Sequence, residues 1–205
     1  NAMKKDLIIR GVCKSKLVLI YNPIDSLKLR NIKNIIRHPG RGLRLISVGR
    51  LVKQKGYDRL IPLLKDIKNI HLTILGTGPE LNNLINLTKS YHIEDQVSFL
   101  GYIKNPNSYI VGSDYFILPS RWEGLPNSAL ESLVLGTPVI SFLEIVALKD
   151  MVPFVPKGNL FLCSNEFSMK KLLNSLKIRK DAKKLKINNE LLIKYNTPKQ
   201  YAKIF

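Results

Sequence analysis

Two glutamates stand eight positions apart in Glu123–Pro138, EGLPNSALESLVLGTP, the first beside a Gly, Pro and Asn-Ser cluster and the second in a run with helical apolar spacing. Pro126 suits a helical first turn, because it has no N–H to leave unpaired and its φ is already near helical. Gly136 and Pro138 close the run. A helix beginning near Pro126 puts Glu123 in the loop ahead of its N-terminus and Glu131 about a turn and a half inside. The free N–H groups of Gly124, Leu125 and the first turn then form an anion site. Carboxylates beside an anion site repel the anion unless they accept from hydroxyls. The pair therefore asks for a ligand carrying both phosphate and sugar hydroxyls, and a sugar nucleotide has both.

Arg50 and Lys55 lie between Gly49 and Gly56, glycines that let the backbone approach a ligand. Two fixed cations aimed at developing negative charge each lower a barrier by about 3 kcal/mol on the scale of single oxyanion donors. The plainer reading is a pair of solvated cations on a basic protein. Likewise Glu131 reads plainly as an exposed helix glutamate and Glu123 as a loop acid near a helix dipole. Gly76-Thr77-Gly78-Pro79-Glu80 is half of a G-x-G-x-x-G fingerprint, with Leu81 where the last glycine belongs. Trp122 reads as a packing residue rather than a base stacker. His38, His71 and His92 have no ligand spacing and read as loop or surface residues; no metal site is expected.

The elements that must position these residues alternate from Arg44 onward. The pattern predicts strands over 44–49, 70–75, 96–100, 114–118, 138–142 and 159–163. Helices are predicted over 57–67, 79–91, 106–112, 126–136 and 166–178. The strands are nearly all apolar, as strands covered on both faces are. Such alternation predicts right-handed crossovers and an α/β, Rossmann-like, doubly wound parallel sheet. Ligands of such sheets sit at the carboxyl ends of the strands, which selects the loops holding Gly49–Gly56, Gly76–Gly78, Gly101–Ile103 and Ser120–Glu123. The run KLVLI ahead of Tyr21-Asn22-Pro23 reads as a short buried strand, and the basic segment 26–42 as a surface linker.

The blocks RLISVGRLVKQKGYDRLI at 44–61, ILGTGPE at 74–80, VSFLGYI at 97–103, DYFILPSRWEG at 114–124 and EGLPNSALES-x-x-x-GTPVI from 123 resemble, in order, the retaining family 4 glycosyltransferases, also called group 1. IYNPID at 20–25 is similar to the linker entering that family's C-terminal domain. The resemblance implies the C-terminal, donor-binding half of a GT-B fold. It implies that Arg50 and Lys55 clamp the donor's pyrophosphate without a metal, that Glu123 accepts from the donor sugar's hydroxyls, and that Glu131 holds both ribose hydroxyls. It places Gly49, Gly76, Gly78, Tyr102, Ile103, Gly124, Leu125 and Pro126 around the nucleotide. The division it implies is 1–3 as a cloning scar, 4–42 as N-terminal-domain remnant and linker, 43–164 as the nucleotide-sugar core, and 165–205 as Lys-rich helices of the same domain. The Gly-Gly loop expected after GTPVI is replaced by Phe142-Leu143-Glu144. The implied substrate is a nucleoside-diphosphate sugar, UDP-sugar foremost, with no cofactor. The implied acceptor is a glycan or lipid-linked saccharide reaching the site through the absent domain, so the half alone is expected to be inactive.

A formal charge of +18 favours anionic partners. It supports a rival reading, a non-catalytic binder of nucleic acid or anionic membrane, although no aromatic-interleaved nucleic-acid motif is present and no specific nucleic acid is expected. An epimerase or phosphorylase on the same fold is a third option. Cys13 and Cys163 are far apart and read as free thiols of a reducing compartment, so a cytoplasmic site is expected, peripheral at the inner face of the membrane. No run reaches the length of a membrane span.

Overall fold

The computed structural model describes residues 2–17, 32, 34–37 and 42–179. Six parallel strands form one sheet: β1 (Leu43–Val48), β2 (Ile70–Leu75), β3 (Val97–Phe99), β4 (Tyr115–Leu118), β5 (Val139–Phe142) and β6 (Leu160–Cys163). Their order is β3-β2-β1-β4-β5-β6. The register runs from Leu43 opposite Ile70 to Val48 opposite Leu75, and Leu45 and Ile46 lie opposite Tyr115 and Phe116. This is the doubly wound order expected, and the chain reverses its direction of winding between β1 and β4. Ligands of such sheets bind outside the carboxyl ends at that reversal.

The helices are α1 (Ala2–Ile9), α2 (Tyr57–Leu60), α3 (Leu81–Ser90), α4 (Asn107–Gly112), α5 (Asn127–Val134), α6 (Val146–Lys149) and α7 (Glu166–Ser175). Because neighbouring strand residues point to opposite faces, Leu45, Ile117 and Ile140 join one core with Leu60, Leu84 and Met169, while Ile46, Phe116 and Val139 join another with Leu130, Leu133 and Leu148. Each wholly buried Leu, Ile or Phe contributes about 1.5–3 kcal/mol, so the two faces hold the sheet rigid beneath its loops.

Four expectations change. The helix expected over 57–67 is α2 followed by a 3-10 turn over Ile61–Leu64, with Pro62 unable to donate in the helix ladder. Pro126 is the cap rather than a first-turn residue: its ψ is 89°, and its carbonyl accepts from Leu130 N at 3.0 Å, the first bond of α5. His71 is buried in β2, with Nδ1 3.2 Å from Asp95 O and Nε2 3.0 Å from Ser98 Oγ, whereas His92 is a surface residue as expected. Trp122 is 61% exposed and packs into neither core. His38, most of the strand expected at KLVLI, the expected helices beyond 179 and most of the linker lie outside the described residues. The described part of the linker docks on α4 through Ile36 N to Ser108 O at 3.1 Å.

At the other end of α5 the expected stop is present. Gly136 takes a positive φ of 76°, Gly136 N reaches Leu133 O at 3.1 Å and Thr137 N reaches Ser132 O at 2.9 Å, a Schellman motif.

The amino ends of the strands are tied by Asp114, wholly buried, which takes Arg44 Nε and Nη2 at 3.0 Å each, Arg44 N at 2.9 Å and Arg179 N at 3.1 Å. Asp114→Ala leaves the largely buried Arg44 charge unpaired, and the expected loss is about 3–5 kcal/mol in urea denaturation. Asp66→Ala, which breaks the exposed pair with Lys170, leaves the midpoint unchanged in the same measurement.

Candidate functional site

The loops after β1 and β2 approach each other first. Leu51 N donates to Thr77 O at 2.9 Å and Glu80 N to Leu51 O at 3.0 Å. Gly76, at φ 144°, lies so close that a Cβ there would stand 1.9 Å from Gly49 O. Gly78 packs its backbone on Leu51. The result is a cleft of about 240 Å³ lined by Val48, Gly49, Arg50, Leu75, Gly76, Thr77, Tyr102 and Ile103. Arg50 is exposed at its edge, and Tyr102 is 74% exposed.

The loops after β1 and β4 meet next. Gly56, at φ 67°, turns the chain where a Cβ would stand 2.1 Å from Pro119 O. Arg121 N donates to Gln54 O at 2.8 Å, Gln54 Nε2 to Trp122 O at 2.9 Å, and Arg121 Nη1 to Lys53 O at 2.7 Å. Arg121 also grips both oxygens of Asp58 at 2.8 Å. That grip holds the Asp58 carboxyl below its ordinary value.

Within this frame Lys55 Nζ lies 2.6 Å from Glu123 Oε1, and Ser120 Oγ donates to the same oxygen at 2.8 Å. The two charged side chains are 19% and 9% exposed. The stem of Lys55 passes over Gly49, where a Cβ would lie 3.2 Å from its Cε, so the pair adjoins the cleft. Below, the Tyr57 hydroxyl is pushed up to about 12, chiefly by burial, with the Glu123 charge adding to it and Ser47 Oγ opposing, so it stays neutral. The loop Gly124–Pro126 then leads into α5, which carries no side-chain cap and is pinned to the end of β1 by Ser128 Oγ to Val48 O at 3.1 Å.

Of the residues expected from sequence, Gly49, Arg50, Gly76, Tyr102 and Ile103 share the cleft, and Lys55 and Glu123 share one contact. Gly78 backs the cleft through Leu51, while Gly124, Leu125 and Pro126 form the entry to α5. Glu131 is half-buried on α5, outside the lining of that cleft. Lys55 touches Glu123 at 2.6 Å, so this cation and this acid form a contact within the site. The loops selected from sequence hold Ser120, Gln54 and Arg121 without a role for any of them, and Asp58 lies outside those loops; the partners of all four are supplied by the fold. Among the described residues no three His, Cys, Asp or Glu side chains group as a metal cage would. None of the described helices is long and apolar enough to cross a membrane.

A pair of opposite charges between the loops after β1 and β4, at the winding reversal, adjoins a glycine-walled cleft at the carboxyl ends of β1, β2 and β3, the edge where doubly wound sheets bind their ligands. The model of glycosyl transferases group 1 matches residues 29–191, and the chain belongs to that family. The O-antigen biosynthesis glycosyltransferase WclY of Escherichia coli is 36% identical over 132 residues, 62% of this chain and 37% of its own length. The N-acetylgalactosamine-N,N'-diacetylbacillosaminyl-diphospho-undecaprenol 4-alpha-N-acetylgalactosaminyltransferase of Campylobacter jejuni is 31% identical over 177 residues, 83% of this chain and 48% of its own length. The chain thus spans less than half the length of these relatives. Anabaena Alr3699/HepE in complex with UDP superposes with a TM-score of 0.78 at 18% identity, over 99% of this chain and 61% of that one. The galactosyltransferase WaaB gives 0.71 at 20% identity, over 99% and 60%. These neighbours share the Rossmann-like half of the GT-B fold. The rival reading as a nucleic-acid or membrane binder gains no support from them.

Because Asp58 titrates lower in the folded chain, its contact with Arg121 stabilises fully above the ordinary value of 3.8 and is lost as pH falls through the folded value. The stability difference between wild type and Arg121→Ala is expected to stay constant near neutrality and to shrink below pH 3.8, read by urea denaturation across pH.

Proposed function

We propose that this chain is the donor-binding half of a retaining glycosyltransferase that moves a sugar from a nucleoside diphosphate, UDP foremost, to an acceptor hydroxyl. The observation that carries the reading is the Lys55–Glu123 contact beside the cleft of Gly49, Arg50 and Gly76. Arg50 and Lys55 take the pyrophosphate and stabilise it as it departs, each by about 3 kcal/mol on the oxyanion-donor scale, with no metal required. As Lys55 leaves for the phosphates, Glu123 turns to the hydroxyls of the donor sugar. Glu131 takes the ribose hydroxyls, and Gly124, Leu125, Pro126 and the amino end of α5 border the phosphates. Gly78, Tyr102 and Ile103 border the nucleoside. The UDP in the Anabaena neighbour supports the choice of base, and the O-antigen and diphospho-undecaprenol relatives support a glycan or lipid-linked acceptor.

In this reading 43–164 is the donor core. The acceptor enters from another domain, the anomeric configuration is kept, and the enzyme works at the cytoplasmic face of the membrane. Titration calorimetry with UDP, GDP and ADP tests this: UDP is expected to bind and the chain alone to turn over nothing. No heat with any of the three at millimolar concentration sinks the reading. Tight, salt-sensitive RNA binding without nucleotide binding would reverse it.

The double variant Arg50→Ala with Lys55→Ala is expected to weaken UDP binding by about two decades or more, about 1.4 kcal/mol per decade. Unchanged affinity removes both residues from the site.

A further inference from the structure

Arg59, on α2 just after the Lys55 loop, has no part in the function proposed above although its side chain is only 13% exposed. Its guanidinium lies over the Phe142 ring at 3.8 Å from the centroid. Nε donates to Pro119 O at 2.8 Å and Nη2 to Ser120 O at 2.6 Å. Nη1 and Nη2 both reach Glu144 Oε2 at 3.2 Å, and Glu166 Oε1 lies 3.7 Å from Nη1. One planar group from the segment after β1 thus holds the two carbonyls that follow β4, stacks on the last residue of β5, and meets the acid just beyond it. The fork geometry and the stacking both require arginine; a lysine offers a point charge with neither.

Ser120, held by its carbonyl, is wholly buried, and its Oγ donates to Glu123 Oε1 at 2.8 Å. Lys55 Nζ takes that same oxygen. Among the described residues Glu123 Oε2 has no partner.

We infer that Arg59 is a positioning residue for the donor sugar: by fixing the Pro119 and Ser120 carbonyls it holds Ser120 Oγ on Glu123 Oε1, so that Oε2 stays available to a sugar hydroxyl after Lys55 turns to the diphosphate. The inference rests on the function proposed above. It also gives a role to Glu144, which stands where the expected Gly-Gly loop is missing, since that carboxylate pairs with the Arg59 guanidinium at 3.2 Å.

The test is calorimetry on the full chain with the nucleoside diphosphate that binds best and with its hexose and N-acetylhexosamine esters. For the preferred sugar the wild type is expected to gain about tenfold over the bare diphosphate, about 1.4 kcal/mol. Arg59→Lys and Ser120→Ala are expected to bind the bare diphosphate as the wild type does and to lose that gain. Variants that keep the gain, or that lose both affinities in parallel with a falling thermal midpoint, overturn the inference, and so does a wild type that gains from no sugar. Absence of any diphosphate binding overturns the functional reading beneath it, and this inference with it. Should Arg59→Lys not fold, Ser120→Ala decides alone, since it removes one hydroxyl from a site whose backbone is unchanged.

Discussion

A lysine and a glutamate 68 residues apart in the chain meet at 2.6 Å while largely withdrawn from water. Taking two ions out of water costs several kcal/mol each, and their attraction recovers that only where geometry is tight and the remaining polar atoms are served. At an effective dielectric near 20 the Coulomb gain for a pair at 4 Å is about 4 kcal/mol, so contact alone does not guarantee that the pair stabilises the fold. What holds Lys55 against Glu123 is the frame around them: Gly56 against the Pro119 carbonyl, Arg121 across to Gln54, Lys53 and Asp58, and Arg59 across to Pro119 and Ser120. The charged contact is better seen as something the frame maintains than as something that maintains the frame.

That frame follows from strand order. β1 and β4 are neighbours in the sheet although two strands and their helices lie between them in the chain. At this seam the helices that follow the two strands pack on opposite faces, α2 through Leu60 and α5 through Leu130, so the loops diverge and leave room between them. The seam is narrowed again by hydrogen bonds and by glycines without a Cβ. Its width is therefore set by backbone contacts, which shift far less than side chains do.

Much of this was legible from residue order. The apolar strands, the glycines at their ends and the loop rule for parallel sheets placed Gly49, Arg50, Lys55, Gly76, Tyr102, Ile103 and Glu123 at one edge of the sheet. What was not legible has a common cause. The grip of Arg59 on Pro119, the zipper of Arg121 and the buried ring of His71 depend on partners that only tertiary packing supplies. Local propensity cannot report such bonds. The break at Pro62 was readable and was overrun by the apolar periodicity of the surrounding turn, while Trp122 was misread because a large apolar ring is packed away more often than not. Beyond Phe142 the pattern weakened because α6 is a single turn and β6 is only half-buried, so neither shows a clear period.

In the proposed function the contact between Lys55 and Glu123 sets terms on what can bind. Lys55 already has a carboxylate, so an incoming anion gains from it only the difference between two charged contacts. A singly charged ligand gains little by that exchange. A diphosphate carries more charge and more acceptor oxygens, and it is the simpler candidate to draw Lys55 away. Glu123 does not then lose all its support, because Ser120 still donates to Oε1. Arg50 differs in being exposed, so it meets an arriving anion first, and its pull is screened by salt within a Debye length of about 8 Å at physiological ionic strength. In the proposed function one cation favours the encounter and the other selects among the anions that arrive. The selection rests on the number of charges a ligand brings, and a glutamate released by the same exchange is an acceptor that a sugar hydroxyl can fill.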